Sequence, residues 1–425
     1  MKTAFVIGSG IAGLSIAEIL SRNGFKVIVL EAQCKIGGEA SLATQKWYHT
    51  GWLYAALRNK AAMMGCYNAA CMYKEIYGEI LPNDVLNIDV NDNGITNYNT
   101  MDGWFIDEKI LYLYALSTYD MSILLKVFWP FYLKMFPFRR LRNLKYNLDV
   151  ITKLDNKTHE LMSMWEDDKN GYKKYKVVRS TDSKINTERV TRSLVSIFSS
   201  NTEILTNSKF SLRENKNETE IVIDESVHKP DYVILASGQS VPTHLRDIGY
   251  EKLAEKITSI KSPILVLKKE MGYPDFIRFT PNVNHTINHI KFPVEEGKRI
   301  STIGSFYSLS SKGKVDISYY EDLMCAKMGI TRDDVMGSYF GIKTEFVGRA
   351  DRRYNHALEK VNLNTFFALA GKFSQFPLLV HDFVQKTGLS LAYNNPFNKI
   401  KINNDLFAHS VPFKIASDSK KLEDC

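Results

Sequence analysis

Thr3-Ala-Phe-Val-Ile-Gly-Ser-Gly-Ile-Ala-Gly13, continued through Asn23-Gly24 to Phe25-Lys-Val-Ile-Val-Leu-Glu31, is the stretch whose reading decides the fold. Ala4–Ile7 is a short apolar run, which predicts a buried strand. Gly8, Gly10 and Gly13 follow it directly and open a helix predicted to run to about Asn23, where Gly24 supplies the stop. Phe25–Leu30 is a second apolar strand, and Glu31 stands at its end, 18 residues beyond Gly13. Each position has a physical job in holding a dinucleotide. Gly8 permits the tight strand-to-helix turn. Gly10, with Ile11 and Ala12 at the helix start, lets backbone N–H groups approach a pyrophosphate, and Gly13 lets the helix lie close on the strands. Glu31 can accept hydrogen bonds from both ribose hydroxyls, while its charge repels a 2′-phosphate. Glycines alone are a weak signal, but strand, glycines, helix, strand and acid in this order point to a nucleotide site. A signal peptide or membrane anchor is not expected, because Glu18, Ser21, Arg22 and Asn23 break the apolar run.

Beyond Glu31 come Ala32, Lys35, Gly37, Gly38, Glu39 and Ala40. This resembles the extended fingerprint of two-dinucleotide-domain flavoproteins, where a basic residue and a Gly-Gly pair follow the acid and bind FAD rather than NAD. Lys35 matches the basic position and Gly37–Gly38 the pair. Tyr48-His49-Thr50-Gly51-Trp52-Leu53-Tyr54 resembles the His-x-Gly-x-x-Tyr segment of FAD oxidoreductases in the D-amino-acid oxidase (DAO) superfamily. In look it is nearest to members acting on 2-hydroxy acids and glycerol 3-phosphate. Tyr232–Leu235 reads as a buried strand ending in Ala236-Ser237-Gly238, similar to the Ala-Thr-Gly strand end that closes over FAD, with Ser237 where Thr is usual. Small residues are needed where a backbone passes against a cofactor. Asn364–Ala370, followed by Gly371-Lys372-Phe373, resembles the family's last FAD motif, a strand ending in a Gly that opens a helix near the flavin pyrimidine edge. N–H groups there, with the Lys372 charge, would stabilise anionic reduced flavin. The likeness covers residues 1–58, 231–238 and 364–386; the middle of the chain matches in outline.

Composition agrees with a globular enzyme and excludes several alternatives. A chain of 425 residues with 44% hydrophobic content can bury a large core, which predicts two interleaved domains. The net charge of +8 suits an acidic substrate or an anionic surface, but no Lys/Arg block calls for nucleic acid. Cys34, Cys66, Cys71, Cys325 and Cys425 are scattered without metal-ligand spacing, so no metal and a reduced, cytoplasmic setting are expected. No apolar stretch reaches the roughly 18 uncharged residues that a membrane span requires. Residues 104–144 combine aromatics with Arg139, Arg140 and Arg142. They read either as a peripheral contact at the inner face of the membrane or as a cap over the substrate cavity. Pro130 and Pro137 oppose a long regular helix and favour the cap.

The expected fold is α/β, a two-domain flavoprotein with a Rossmann-like, parallel-sheet FAD domain and a β-rich substrate domain. The FAD domain is assigned to 1–58, 183–243 and 345–395, the substrate or cap domain to 59–182 and 244–344, and a C-terminal tail to 396–425. Helices are predicted over Leu57–Tyr77 and Ser183–Phe198, strand-like runs at Glu203 and Glu220, a charged crossing over Glu166–Lys176, and mostly strand from Ile264 to Tyr339. His285 and His289 would share one strand face and read as ordinary strand histidines rather than zinc ligands.

The resemblance implies an FAD-dependent oxidoreductase that removes hydride from a C–H bearing a hydroxyl or an amine and delivers it to flavin N5. It makes His49 the candidate base, with a covalent link to the flavin 8-methyl as the rival role, and Tyr54 a weaker candidate. Arg349, in a stretch that also holds Lys343, Arg352 and Arg353, is the candidate for gripping a carboxylate or phosphate, unless these groups are solvated or paired with Glu345 and Asp351. A small anionic substrate is therefore expected. An amine or amino-acid oxidase of the same superfamily, and a non-catalytic flavin-binding protein at a membrane, are the alternatives. No motif specifies the electron acceptor.

Overall fold

The computed structural model describes residues 1–51, 53–54, 60–86, 88–91, 94–97, 103–106, 110–116, 149–150, 156–166, 174–180, 182–279, 286–295, 298–305, 309–310, 315–346, 355–393, 404–412 and 414–415. The opening stretch folds as its pattern dictates. Strand β1 (Thr3–Ile7) lies between β2 (Lys26–Leu30) and the strand Tyr232–Leu235, parallel to both. The six-stranded sheet runs in the order Thr202–Leu205, β2, β1, Tyr232–Leu235, Thr365–Leu369, Ala357–Lys360, with only the last pairing antiparallel. Hydrophobic clusters cover both faces, so the inner strands are near-continuous apolar runs rather than alternating ones.

Helix α1 (Ile11–Arg22) is buried along its whole length and packs with the helix Phe376–Thr387. Its closeness to β1 has a steric origin. A Cβ on Gly13 would stand 2.0 Å from the Gly8 carbonyl oxygen, and Gly8 itself sits at φ +102, a conformation open to glycine. The polar groups that interrupt the apolar pattern turn out to be buried: Arg22 Nη2 lies 2.7 Å from Glu18 Oε2, and its Nη1 donates to the carbonyls of Ile76 and Leu391. Burial raises the Glu18 carboxyl above its ordinary range, against the pull of Arg22.

A nine-stranded mixed sheet forms the other layer. Its longest pairing joins Ile257–Leu267 to Val335–Phe346, antiparallel. The strands expected between Ile264 and Tyr339 are present, but the helix Ile317–Met328 interrupts them. The Asp316 side chain caps its first turn by accepting from Ser318 N–H, and Gly329 at φ +63 ends it. The helix foreseen from Ser183 starts later: Ser183–Ile185 is a strand, and Asn186 caps Thr187–Ser196 by accepting from Arg189 N–H. That strand sits between Trp47–Tyr48 and Phe105–Ile106 in a small antiparallel sheet.

Residues 404–412 are packed down on the loop after β2. Ile36 N–H donates to Leu406 C=O, Ala408 N–H to Ile36 C=O and Val411 N–H to Leu42 C=O. His289 is a core histidine, with Nδ1 2.9 Å from the Pro274 carbonyl and Nε2 2.7 Å from Ser301 Oγ. The aromatic and basic run Phe128–Arg142, His285, and the Arg349, Arg352 and Arg353 cluster lie outside the described residues. Among the described residues no helix is long and apolar enough to cross a membrane, and no cluster of His, Cys, Asp and Glu could hold a metal ion.

The strand–helix contact yields a direct test. Gly13→Ala should destabilise the cofactor-free protein by about 3 kcal/mol or more, the upper range for overpacking. Gly38→Ala, whose Cβ would meet nothing nearer than 3.7 Å, should change stability by no more than about 0.5 kcal/mol. Urea denaturation midpoints of the two variants check this ordering.

Candidate functional site

Where the carboxyl ends of β1, β2 and Tyr232–Leu235 meet the turns that follow them, a cavity of about 760 Å³ opens. This is the edge of an open α/β sheet at which ligands are bound. Gly8, Gly10, Ile11 and Ala12 line it at the start of α1, whose first turn holds no acidic residue. The partial positive charge of that helix end is therefore available to an anion. Gly13 lies underneath, in the contact already described.

Glu31, at the end of β2, is held by protein donors on both carboxylate oxygens. Its Oε2 accepts from Ser9 N–H at 2.9 Å and from Ser9 Oγ at 2.5 Å, while Oε1 accepts from Gln33 N–H at 2.8 Å. Oε1 keeps room for a second donor, since a carboxylate oxygen has two lone pairs. Ala32, Gly38, Glu39 and Ala40 also line the cavity. Burial, and then the Glu31 charge, push the Glu39 carboxyl above its ordinary range. Lys35 is exposed and does not line the cavity.

Ser237 and Gly238, at the end of the neighbouring strand Tyr232–Leu235, line it beside Gly8. The Ser237 hydroxyl is buried without a hydrogen-bond partner among the described residues, an orphan that a bound group would satisfy. Farther along, Gly371 stands at φ +66, and a Cβ there would come within 2.2 Å of the Asn355 carbonyl oxygen. Lys372 follows, and a single 3-10 turn, Phe373–Gln375, leads into the helix Phe376–Thr387. The helix expected directly after the glycine therefore begins one short turn later. An acid-free helix start, a glycine cradle, an orphaned hydroxyl and a preset carboxylate together fit a dinucleotide.

His49 reaches the same cavity from the end of the strand Trp47–Tyr48. The Trp47 ring is stacked on it, with centroids 4.7 Å apart and planes 26° from parallel. Its Nδ1 stands 3.4 Å from Asp182 Oδ2. Lys372 and Lys343 line the cavity too; Lys372 Nζ sits 4.6 Å from the Tyr54 ring centroid, and Lys343 pairs with Glu345. Tyr54 itself does not line the cavity. Burial, followed by the Lys372 charge, brings His49 down to about 4 against the opposing pull of Asp182, with Lys343 acting in the same sense as Lys372. Asp182 remains below its ordinary range: burial opposes this, but His49, Thr50 and Tyr112 outweigh it. Sequence reasoning missed Asp182 and Trp47, because neither belongs to a spaced motif. It found Lys343 only as one of four cations, of which Arg349, Arg352 and Arg353 lie outside the described residues.

A family model described as "DAO: FAD dependent oxidoreductase" matches residues 3–305. Among solved structures, an FAD dependent oxidoreductase from Pseudomonas aeruginosa has a TM-score of 0.60 over 98% of this chain and 98% of its own, at 14% identity. A glycine oxidase from Geobacillus kaustophilus gives 0.61 over 93% and 100%, at 12% identity. An L-alpha-glycerophosphate oxidase from Mycoplasma pneumoniae, reduced with dithionite and with FAD bound, gives 0.60 over 95% and 100%, at 13% identity. These likenesses are of fold. A 40-residue stretch is 50% identical to a bifunctional protein of tRNA 5-methylaminomethyl-2-thiouridine biosynthesis from Campylobacter concisus, covering 9% of this chain and 6% of that protein.

The neutral state of His49 has a measurable consequence for the cofactor-free protein. Its folded value of about 4 lies below the unfolded 6.5, so the unfolded chain binds more protons between these limits. Stability from this residue is fully present above pH 6.5 and is lost as pH falls toward 4, on the order of 3 kcal/mol in all. His49→Gln should show a correspondingly shallower fall. Thermal or urea unfolding of both proteins from pH 7 to pH 4 checks the difference.

Proposed function

The chain belongs to the DAO family of FAD dependent oxidoreductases, and from that premise we propose that it oxidises a small anionic substrate at a carbon bearing a hydroxyl or an amine. The observation that carries the substrate's charge is the pair of ammonium groups, Lys343 and Lys372, on the cavity that His49 also lines. After burial, the Lys372 charge and then, more weakly, the Lys343 charge disfavour protonation of His49, so an acid group entering beside Lys372 meets a positive charge. Three of the fold's relatives are named for glycine, iminodiacetate and L-alpha-glycerophosphate, compounds that each carry a carboxylate or a phosphate.

FAD is the cofactor, and when bound it supplies the acceptor for the substrate's hydride. In this reading Gly8, Gly10, Ile11 and Ala12 receive its pyrophosphate, and Glu31 its ribose. Ala32, Gly38, Glu39 and Ala40 enclose the same portion. Ser237 and Gly238 close over it, and Gly371, Lys372 and Phe373 stand at the reacting end. His49, neutral at physiological pH, takes the proton of the substrate's hydroxyl or amine. Lys343 and Lys372 hold the acid group, and Arg349 remains the sequence's own candidate for a second, bidentate contact.

Anaerobic bleaching of the flavin with panels of hydroxy acids, amino acids, sugar phosphates and neutral amines tests this reading. Anionic compounds should bleach it, and release of ammonia on turnover would assign an amine rather than an alcohol substrate. Lys343→Met and Lys372→Met should each weaken the effective compound by about 1.5–3 kcal/mol, as for a lost hydrogen bond to a charged group. His49→Gln should slow bleaching by about 10²–10⁴-fold. Bleaching by neutral or cationic compounds alone, with both lysine variants indifferent, would overturn the assignment. Glu31→Ala should weaken FAD by about 1.5–3 kcal/mol, read from equilibrium titration of the cofactor-free protein.

A further inference from the structure

Asp182 is completely buried, yet no lysine or arginine among the described residues pairs with it. A carboxylate in that position is costly unless hydrogen bonds replace the water it has lost. Four donors do so. Oδ1 accepts from Thr50 N–H at 2.9 Å and Thr50 Oγ1 at 2.7 Å; Oδ2 accepts from Tyr112 OH at 2.7 Å and Trp47 Nε1 at 3.1 Å. The same Oδ2 faces His49 Nδ1 at 3.4 Å, the long edge of hydrogen-bond range. That nitrogen is buried and completes no hydrogen bond among the described residues, so its tie to Asp182 is a close electrostatic contact.

The encounter is written into the backbone. In the small sheet Lys184 opposes Trp47 and Ser183 opposes Tyr48, so the next opposed positions along the antiparallel ladder are Asp182 and His49. We propose that Asp182 is the positioning carboxylate of the site: it fixes the Trp47–His49 stack and keeps the His49 proton on Nδ1. Nε2 is then the lone-pair nitrogen presented to the cavity. The chemistry follows from the pairing, since an ionised carboxylate only accepts and a neutral imidazole carries a single N–H. Whichever nitrogen faces Asp182 holds the hydrogen. The other groups facing the ring are the Trp47 and Tyr54 rings and the ammonium groups of Lys372 and Lys343, none of which accepts a hydrogen bond from Nδ1 in place of Asp182.

This inference rests on the reading of His49 as the base, and the experiment separates the two. Protein carrying ¹⁵N-histidine and loaded with FAD is examined by long-range ¹H–¹⁵N correlation, with the His49 signal identified by its loss in His49→Gln. The wild-type ring should be the Nδ1–H tautomer. Asp182→Asn should shift it toward Nε2–H and move its titration to lower pH, because the one charge favouring imidazolium is gone. Anaerobic flavin reduction by the best compound of the panel should slow by about 10–100-fold. Tyr112→Phe, which keeps the carboxylate, should retain the Nδ1–H tautomer. An Nε2–H ring in the wild type overturns the proposal without need of any Asp182 variant, and so does an unchanged tautomer in Asp182→Asn. If His49→Gln reduces its flavin at the wild-type rate while the tautomers behave as stated, the base reading fails and the positioning role stands.

Discussion

The structure depends on how closely α1 can lie against β1. With hydrogen in place of a methyl at Gly13, the helix descends onto the Gly8 carbonyl, and its amino end points at the space left by the turning strand. Three consequences follow from that approach. The helix start faces a cavity rather than solvent, and Ser9 comes within reach of Glu31 on the neighbouring strand. The two hydrophobic clusters can also close on either side of the sheet. A bulkier residue would cost more than local packing, because the helix Phe376–Thr387, the helix Thr187–Ser196 and the strands on either side of β1 all pack on this pair.

The second organising feature is a row of buried charges on the short strand beside His49. Asp182 faces the imidazole, and Lys184, two residues on and so on the same face, pairs with Asp275 at 2.8 Å. Asp275 in turn accepts from Lys291 N–H at 2.7 Å, which carries the link into the large sheet. A buried ion pair is weak evidence of net stability, because desolvation offsets most of its attraction. Its value here is geometric: a slipped register would strand two charges at once, so the segment holding Asp182 has one permitted alignment.

Much of the cofactor side was legible because its constraints are local. A glycine needed for a turn, an acid at a strand end and small residues after Leu235 are each visible within a few positions, and the structure brings all three to one cavity. The reacting end was less legible. His49 could be singled out, yet Asp182 is 133 positions away and adjacent only through sheet pairing, a relation that no spacing encodes. Lys35, named by its motif position alone, is exposed and does not line the cavity, so nothing in the packing around it adds to that reading. The helix Ile317–Met328 carried readable end signals in Asp316 and Gly329, but its neighbouring strands obscured them.

The partners of β1 come from widely separated parts of the chain. Its β2 side is available as soon as residue 30 has been made, but its other neighbour is Tyr232–Leu235. At about 5–20 residues per second, the synthesis of the intervening chain takes on the order of 10–45 s. Until then the β1 edge that faces Tyr232–Leu235 in the folded protein lacks its partner, and an unpaired, largely apolar strand edge is the kind of surface on which neighbouring chains add strands. The strand that builds the cofactor cradle is therefore also a liability during translation. A chaperone that shelters the first thirty residues would raise the yield of folded protein without touching the finished enzyme.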